Sequence, residues 1–153
     1  MRRLTLAVLA ATLVVVTGTA VVVPARAGAS FASYVETSVV IGTSAHGRPI
    51  RAYYRGEEGA PFVLLVLGQM HGDEKDGIAT ARWIRDHAHP RPGTGVWVVP
   101  TLNPDGNARG TRTNGRGVDL NRNWPTSGWS GAGRGSRYWG GPRPASEPET
   151  KAM

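Results

Sequence analysis

The hydrophobic positions of the chain fall into short blocks separated by glycine, proline and polar turns, and their period changes from block to block. Residues 31–41 alternate loosely and end in Val39-Val40-Ile41; residues 42–47 break the pattern, and Ile50-Arg51-Ala52-Tyr53-Tyr54 resumes it. This predicts a hairpin or two adjacent strands. Phe62 to Leu67 is an uninterrupted apolar run of strand length between Pro61 and Gly68, the pattern of a strand covered on both faces. From Asp76 to Ala88 the apolar and small residues Ile78, Ala81, Ile84 and Ala88 recur at steps of three and four, which predicts a helix stopping before Pro90. Val96-Trp97-Val98-Val99 is the next strand. Strand, helix and strand in this order form a βαβ unit with a parallel pair. The expected fold class is α/β, a mixed and largely parallel sheet flanked by helices.

After Pro100 the periodicity fades. Asn103-Pro104-Asp105-Gly106 has turn chemistry, and residues 106–143 are rich in Gly, Arg, Asn and Trp. Irregular stretches this long in a compact domain usually carry function. Ser146-Glu147-Pro148-Glu149 then reads as a capping box, with Ser146 accepting from the Glu149 amide and the Glu149 side chain reaching back. The helix it opens has about one turn before Met153, too little to form or bury a face by itself. The expected organisation is a signal peptide over residues 1–27 and the N-terminal, incomplete part of a catalytic domain over residues 28–153.

The leader expectation rests on Arg2 and Arg3, the apolar run from Leu4 to Val23, and the small-x-small site Ala25-Arg26-Ala27. An uncleaved membrane anchor is the alternative, since about 20 residues can span a bilayer. Either reading puts the remainder outside the cytoplasm, secreted or wall-associated, and cleavage leaves no stable membrane association. Composition narrows the chemistry further. With 40% hydrophobic and 19% charged residues the chain is too apolar for disorder and too polar for a membrane protein. Cysteine is absent, which excludes disulfide frameworks, cysteine nucleophiles and thiolate metal sites. Any metal must sit on His, Asp or Glu. The net charge of +7 falls to +4 without residues 1–27. The basic residues are mostly single arginines among Gly and Pro, with no aromatic-interleaved basic stripe, so nucleic acid is not an expected partner. A modest positive surface suits an acidic partner such as a peptide carboxylate or a wall polymer.

His71-Gly72-Asp73-Glu74 is an H-x-x-E just past the end of the Phe62–Leu67 strand, where α/β sheets hold their ligands. Imidazole and carboxylate three residues apart on a tight loop can close on one zinc ion from the same side. Downstream follow Asn103-Pro104-Asp105-Gly106, Arg112-Thr113-Asn114, Gly117-Val118-Asp119-Leu120-Asn121-Arg122-Asn123 and Ser146-Glu147-Pro148-Glu149. With these landmarks, in this order, the sequence resembles the zinc carboxypeptidase family, the metallocarboxypeptidases of the carboxypeptidase A type, over roughly residues 37–150.

The resemblance implies a Zn2+ cofactor with His71 and Glu74 as the first two metal ligands. It implies Arg112 as the catalytic arginine that polarises the scissile carbonyl, and Asn121 and Arg122 as the pair gripping the free carboxylate of the substrate. Asp73 stands where digestive-type members carry Arg, so the chain looks more like the bacterial branch with murein peptide amidases and gamma-glutamyl-diaminopimelate hydrolases. The implied partner is a peptide or peptidoglycan stem peptide with a free carboxylate. The family's third zinc ligand, a His, and its general base, a Glu, belong to a C-terminal half that residues 1–153 do not include. The other histidines, His46 in a turn and His87 and His89 beside Pro90, are not expected to substitute. Asp105 is expected to form a turn, and Asp119 is a candidate for orienting a ligand from behind. Trp124, Trp129, Tyr138 and Trp139 either line a groove or pack the loops onto the sheet. The expected function is a secreted zinc metallocarboxypeptidase; the alternatives are a zinc amidase on muropeptides or acylated amino acids, and a non-catalytic carboxylate-binding remnant.

Overall fold

The computed structural model describes residues 33–129 and 131–153; the expected leader, residues 1–27, lies outside them. The loosely alternating N-terminal blocks form strands β1 (Tyr34–Thr43) and β2 (Pro49–Glu57), an antiparallel hairpin with an irregularity between Val40 and Gly42. Strand β3 (Phe62–Leu67) is followed by helix α1 (Lys75–His87) and strand β4 (Thr94–Val99). The expected parallel β3–β4 pair is present, from Phe62 opposite Thr94 to Leu67 opposite Val99. The sheet order is β1-β2-β4-β3, so the expected mixed α/β sheet is found. Among the described strands its parallel part is the one β3–β4 pair, because β4 inserts beside the hairpin strand β2 in antiparallel register.

Strand alternation sends β4 side chains to two cores. Val96 and Val98 pack with Ala81, Val66, Ile84 and Ala88 beneath α1. Val99 faces the other way and joins Ile50, Ala52, Leu102 and Leu120 in a second cluster, against which Leu67, Met70, Trp97 and Trp124 pack. Burying each of Ile50, Leu102 and Leu120 completely contributes roughly 1.5–3 kcal/mol before the entropy cost of ordering the chain. Leu120 matters most for function, because it pins the motif around it to the sheet.

Strand β3 departs from the expectation of cover on both faces. Phe62, Val63, Leu64 and Leu65 are 49–74% exposed, because β3 lies at the sheet edge with β4 on one side only among the described strands. The polar segment after Pro100 departs as well. Asn103-Pro104-Asp105-Gly106 opens a short helix, α2 (Pro104–Arg109), with Asn103 as its cap and Gly110 ending it in the left-handed conformation. The last helix, α3 (Pro148–Lys151), forms and buries Glu149 and Thr150, yet not through the expected capping box. Ser146 Oγ donates to Glu147 Oε1 at 2.8 Å, and Glu149 Oε1 accepts instead from the amide of Ala45 in the β1–β2 turn at 2.8 Å. The distant amide outcompetes the local one because Glu149 is fully buried beside it. No helix among the described residues is long and apolar enough to cross a membrane.

Candidate active site

The site forms where β3 and β4 end. The two chains stay in register past the strands: Gly68 N donates to Val99 O and Leu102 N to Gln69 O, both at 2.9 Å. The loop after β3 then turns sharply to bring His71 and Glu74 together. Gln69 Nε2 holds that turn by donating to the carbonyl of Glu74 at 3.0 Å. Gly72 is required because its backbone lies directly on α2: a Cβ there would stand 1.9 Å from the carbonyl carbon of Gly106.

Asn103 joins three segments of the site. Its Oδ1 accepts from Gly106 N at 2.8 Å, and its Nδ2 donates to the carbonyls of Met70 at 3.2 Å and Arg112 at 3.3 Å. One buried amide therefore sets the spacing between the His71 loop, α2 and the Arg112 segment. Asp105, expected as a turn former, lies fully buried in the first turn of α2. It accepts from Arg48 Nη1 at 2.7 Å and from the His46 amide at 3.0 Å. Burial acts to raise its pKa, but the bonds from Arg48, Ser44 and the His46 backbone together with the His46 charge outweigh it and hold the carboxyl below its ordinary value.

Asp119, completely buried, is the centre of the site. Its side chain caps a 3-10 turn (Leu120–Arg122) by accepting from Asn121 N at 3.0 Å. The same Oδ1 faces His71 Nε2 at 3.0 Å, while Oδ2 receives Arg112 Nε at 3.1 Å and Nη2 at 3.0 Å. On the other side of the imidazole, His71 Nδ1 faces Glu74 Oε1 at 2.8 Å, and Arg112 Nη1 is 3.7 Å from that oxygen. His71, Glu74 and Arg112 thus converge, with Asp119 behind them.

This arrangement fits part of a zinc site. When Nε2 carries the imidazole proton toward Asp119, Nδ1 and Glu74 Oε1 are two lone-pair atoms 2.8 Å apart, and only a proton or a cation between them relieves the contact. Histidine nitrogen and carboxylate oxygen are zinc donors, and a carboxylate holding the remote ring nitrogen is the usual support for a metal-bound imidazole. The set is one donor short: among the described residues no group of three His, Asp or Glu side chains is arranged to hold a metal ion. His87 and His89 are exposed, and His46 stands 3.9 Å from Asp105, so none of them completes the pair.

Asn121 and Arg122 are exposed and line a cavity of about 450 Å3 with Trp124, Thr126 and Trp129. Trp124 serves both expected roles, since it also packs on the core. Tyr138, half exposed, has its ring 5.7 Å from the Arg112 guanidinium and 5.9 Å from that of Arg122, so one aromatic face neighbours both arginines. Sequence reasoning did not connect Tyr138 to them, because separations of 26 and 16 positions carry no periodic signal. Asn123 was also missed. It is buried, donates through Nδ2 to Gly140 O at 2.7 Å and to Ser146 Oγ at 2.9 Å, and accepts from Glu147 N at 3.1 Å, which ties residues 140–147 to the 3-10 turn.

Comparison with known proteins accounts for this combination. The family model described as zinc carboxypeptidase matches residues 29–153. Murein peptide amidase A of Escherichia coli strain K12 is 36% identical over 101 residues, covering 58% of this chain and 41% of the amidase. The crystal structure of murein-tripeptide amidase MpaA from Escherichia coli O157 superposes with a TM-score of 0.61 and 30% identity, over 83% of this chain and 57% of that one. Carboxypeptidase A from Helicoverpa armigera shares the fold, with a TM-score of 0.64 at 23% identity, over 77% of this chain and 36% of that one. The chain therefore spans about half the length of these relatives, or less. Since the family match runs through all the segments that build the His71, Glu74, Arg112 and Asn121-Arg122 cluster, the chain belongs to the zinc carboxypeptidase family.

Proposed function

We propose that this chain contributes to a zinc-dependent peptide hydrolase acting at the carboxylate end of a peptide, with murein stem peptides as the substrate class. The observation that carries the reading is the convergence of His71 Nδ1 and Glu74 Oε1 at 2.8 Å with Arg112 3.7 Å from the same oxygen. His71 and Glu74 are the residues that would hold zinc. When bound, zinc supplies a Lewis acid that polarises a carbonyl and lowers the pKa of water. Asp119 fixes the imidazole orientation, so that Nδ1 is presented while Nε2 stays occupied. The same carboxylate holds Arg112 by two nitrogens and limits its motion, which preorganises a permanently charged donor for a developing oxyanion. Asn121 and Arg122, in the lining of the 450 Å3 cavity, receive the free carboxylate of the substrate, where a guanidinium fork gives direction as well as affinity. The leader-like residues 1–27 support an exported protein. The printed names of the amidase relatives, together with Asp73, favour a murein peptide over a dietary protein substrate.

The test is to incubate the zinc-supplemented full chain with a murein tripeptide and, in parallel, with an N-blocked dipeptide of protein type. Zinc-dependent binding of both peptides, tighter for the murein tripeptide, is the expected result, with little or no release of a terminal residue because His71 and Glu74 supply only two zinc donors. Binding of both peptides that survives a chelator, with no turnover, would replace the enzyme reading for this chain with the carboxylate-binding one. Absence of binding would remove the assignment of Asn121 and Arg122.

A further inference from the structure

Beside α1, on the sheet face that carries alternate residues of β2, a groove of about 160 Å3 is lined by Arg51, Tyr53, Arg82, Arg85 and Thr101, with prolines at its end. It shares no lining residue with the cavity at Asn121 and Arg122. Two independent spacings build it. Arg51 and Tyr53 are two apart on a strand and so point to one face, and Arg82 and Arg85 are three apart on a helix and so share one side.

Three arginines line the groove, and two of them, Arg51 and Arg82, have no carboxylate partner among the described residues. Arg85 is committed in part: its Nε and Nη2 hold Asp86 at 2.7 and 2.9 Å, and its guanidinium lies 5.0 Å from the centre of the Tyr53 ring. That leaves its Nη1 without a carboxylate. Arg55, further along β2, is taken up by Glu36 and by the carbonyl of Arg85. Arg51 and Arg82 are exposed, and among the described residues neither forms an ion pair; the carboxylates of this flank, Asp86 and Glu36, are already held. Every polar side chain lining the groove is a donor or can become one: three guanidiniums, the Tyr53 hydroxyl and the Thr101 hydroxyl.

We propose that this groove is a binding site for a phosphate-type anion, separate from the hydrolytic site. A carboxylate is planar and is satisfied by one guanidinium fork, whereas donors supplied by a strand, a helix and a loop can approach the oxygens of a tetrahedral phosphate from more than one side. The groove admits a single anionic group with its nearest substituents, as free phosphate or as one phosphodiester unit of an anionic polymer.

The experiment is equilibrium dialysis of the full chain against a glycerol-phosphate oligomer, inorganic phosphate and polyglutamate of matched charge, with Arg51→Gln/Arg82→Gln as the variant. The oligomer is expected to bind and to lose at least tenfold in affinity in the variant, with the slope of log affinity against log salt shrinking by about 2. Tighter binding of the oligomer than of inorganic phosphate identifies a polymer site; equal binding per phosphate identifies a free-phosphate site. A second variant, Arg51→Lys/Arg82→Lys, keeps the charge and removes the forks, and is expected to bind more weakly than wild type. Unchanged oligomer binding in the Gln variant, or equal binding of polyglutamate, overturns the proposal. Both arginines are exposed, so an unchanged near-ultraviolet circular dichroism spectrum verifies that the variants remain folded.

Discussion

Replacing Asp119 by Asn tests whether one buried carboxylate organises the site. The substitution keeps size and shape but leaves a single acceptor oxygen where there were two. With that oxygen at the Oδ1 position, the bonds from Asn121 N and His71 Nε2, both 3.0 Å in the wild type, survive as neutral ones. The new amide nitrogen then faces Arg112 Nε and Nη2, which stand 3.1 and 3.0 Å from Oδ2. Donor meets donor. A hydrogen bond to a charged group is worth about 1.5–3 kcal/mol net, and two are lost. The Arg112 side chain is 16% exposed and recovers part of that by drawing in water and shifting toward Glu74, which lowers the expected loss to about 2–3 kcal/mol. That is a large share of a typical domain stability. Urea unfolding followed by fluorescence of the five tryptophans reads it directly, and an unchanged m-value certifies that the midpoint shift reports stability. Zinc affinity, measured in parallel by dialysis, should fall ten- to a hundredfold because the His71 ring loses its charged anchor. A stability change under about 0.5 kcal/mol with unaltered zinc affinity would refute the argument that Asp119 holds the site together.

Other perturbations read other parts of the structure. Asn103→Ala deprives Gly106 N of its cap and strips two carbonyls of their donor; we expect a loss of about 2–4 kcal/mol in urea, and a loss below 0.5 kcal/mol would contradict the three-way role. Asp105 has a folded pKa held below its ordinary value, so its contribution is fully present above about pH 4 and disappears as pH falls through the lower folded value. Arg48→Met removes the strongest of the lowering contacts, and the midpoint of acid unfolding should move to higher pH; an unmoved midpoint would show that the pair does not govern acid stability. Along the β3 edge, Leu64→Lys places a charge on a residue that is 63% exposed. Concentration-dependent self-association, measured by sedimentation, should decrease, and unchanged association would show that the edge is not the sticking surface.

Local pattern carried the β1–β2 hairpin, β3, α1 and β4, because each is decided within about a dozen residues by periodicity and by a Gly or Pro at its end. The candidate site residues came from short motifs, His71 with Glu74 and Asn121 with Arg122, and, for Arg112, from the family resemblance; the structure brings His71, Glu74 and Arg112 together. The misreadings share one physical cause. Asp105 and Glu149 both sit in sequences with strong local turn or cap chemistry, and both gave it up for partners 57 to 104 positions away: Arg48, the His46 amide and the Ala45 amide. Complete burial makes those distant bonds worth more than the exposed local alternatives. The exposure of β3 was equally invisible, since a run of six apolar residues states that a strand wants cover and does not say how many neighbours it has.

The bond between Glu149 and Ala45 also bears on how the molecule assembles in time. It closes a loop of 104 residues, and Glu149 shares the Nδ2 of Asn114 with Glu147, at 3.1 and 2.9 Å. Asn114 in turn accepts from the amides of Arg116 and Val118, both at 3.0 Å, immediately before Asp119. The segment that shapes the surroundings of Arg112 therefore finds its anchors at Glu147 and Glu149 only after residues 147–149 have been synthesised. At ribosomal speeds of about 5–20 residues per second, the hairpin and the β3–α1–β4 unit have seconds in which to form before that closure is available. Contacts of such long range slow folding, so the rate-limiting barrier for these residues should sit at the docking of α3 on the β1–β2 hairpin, with the cluster of His71, Arg112 and Asp119 settling on the downhill side.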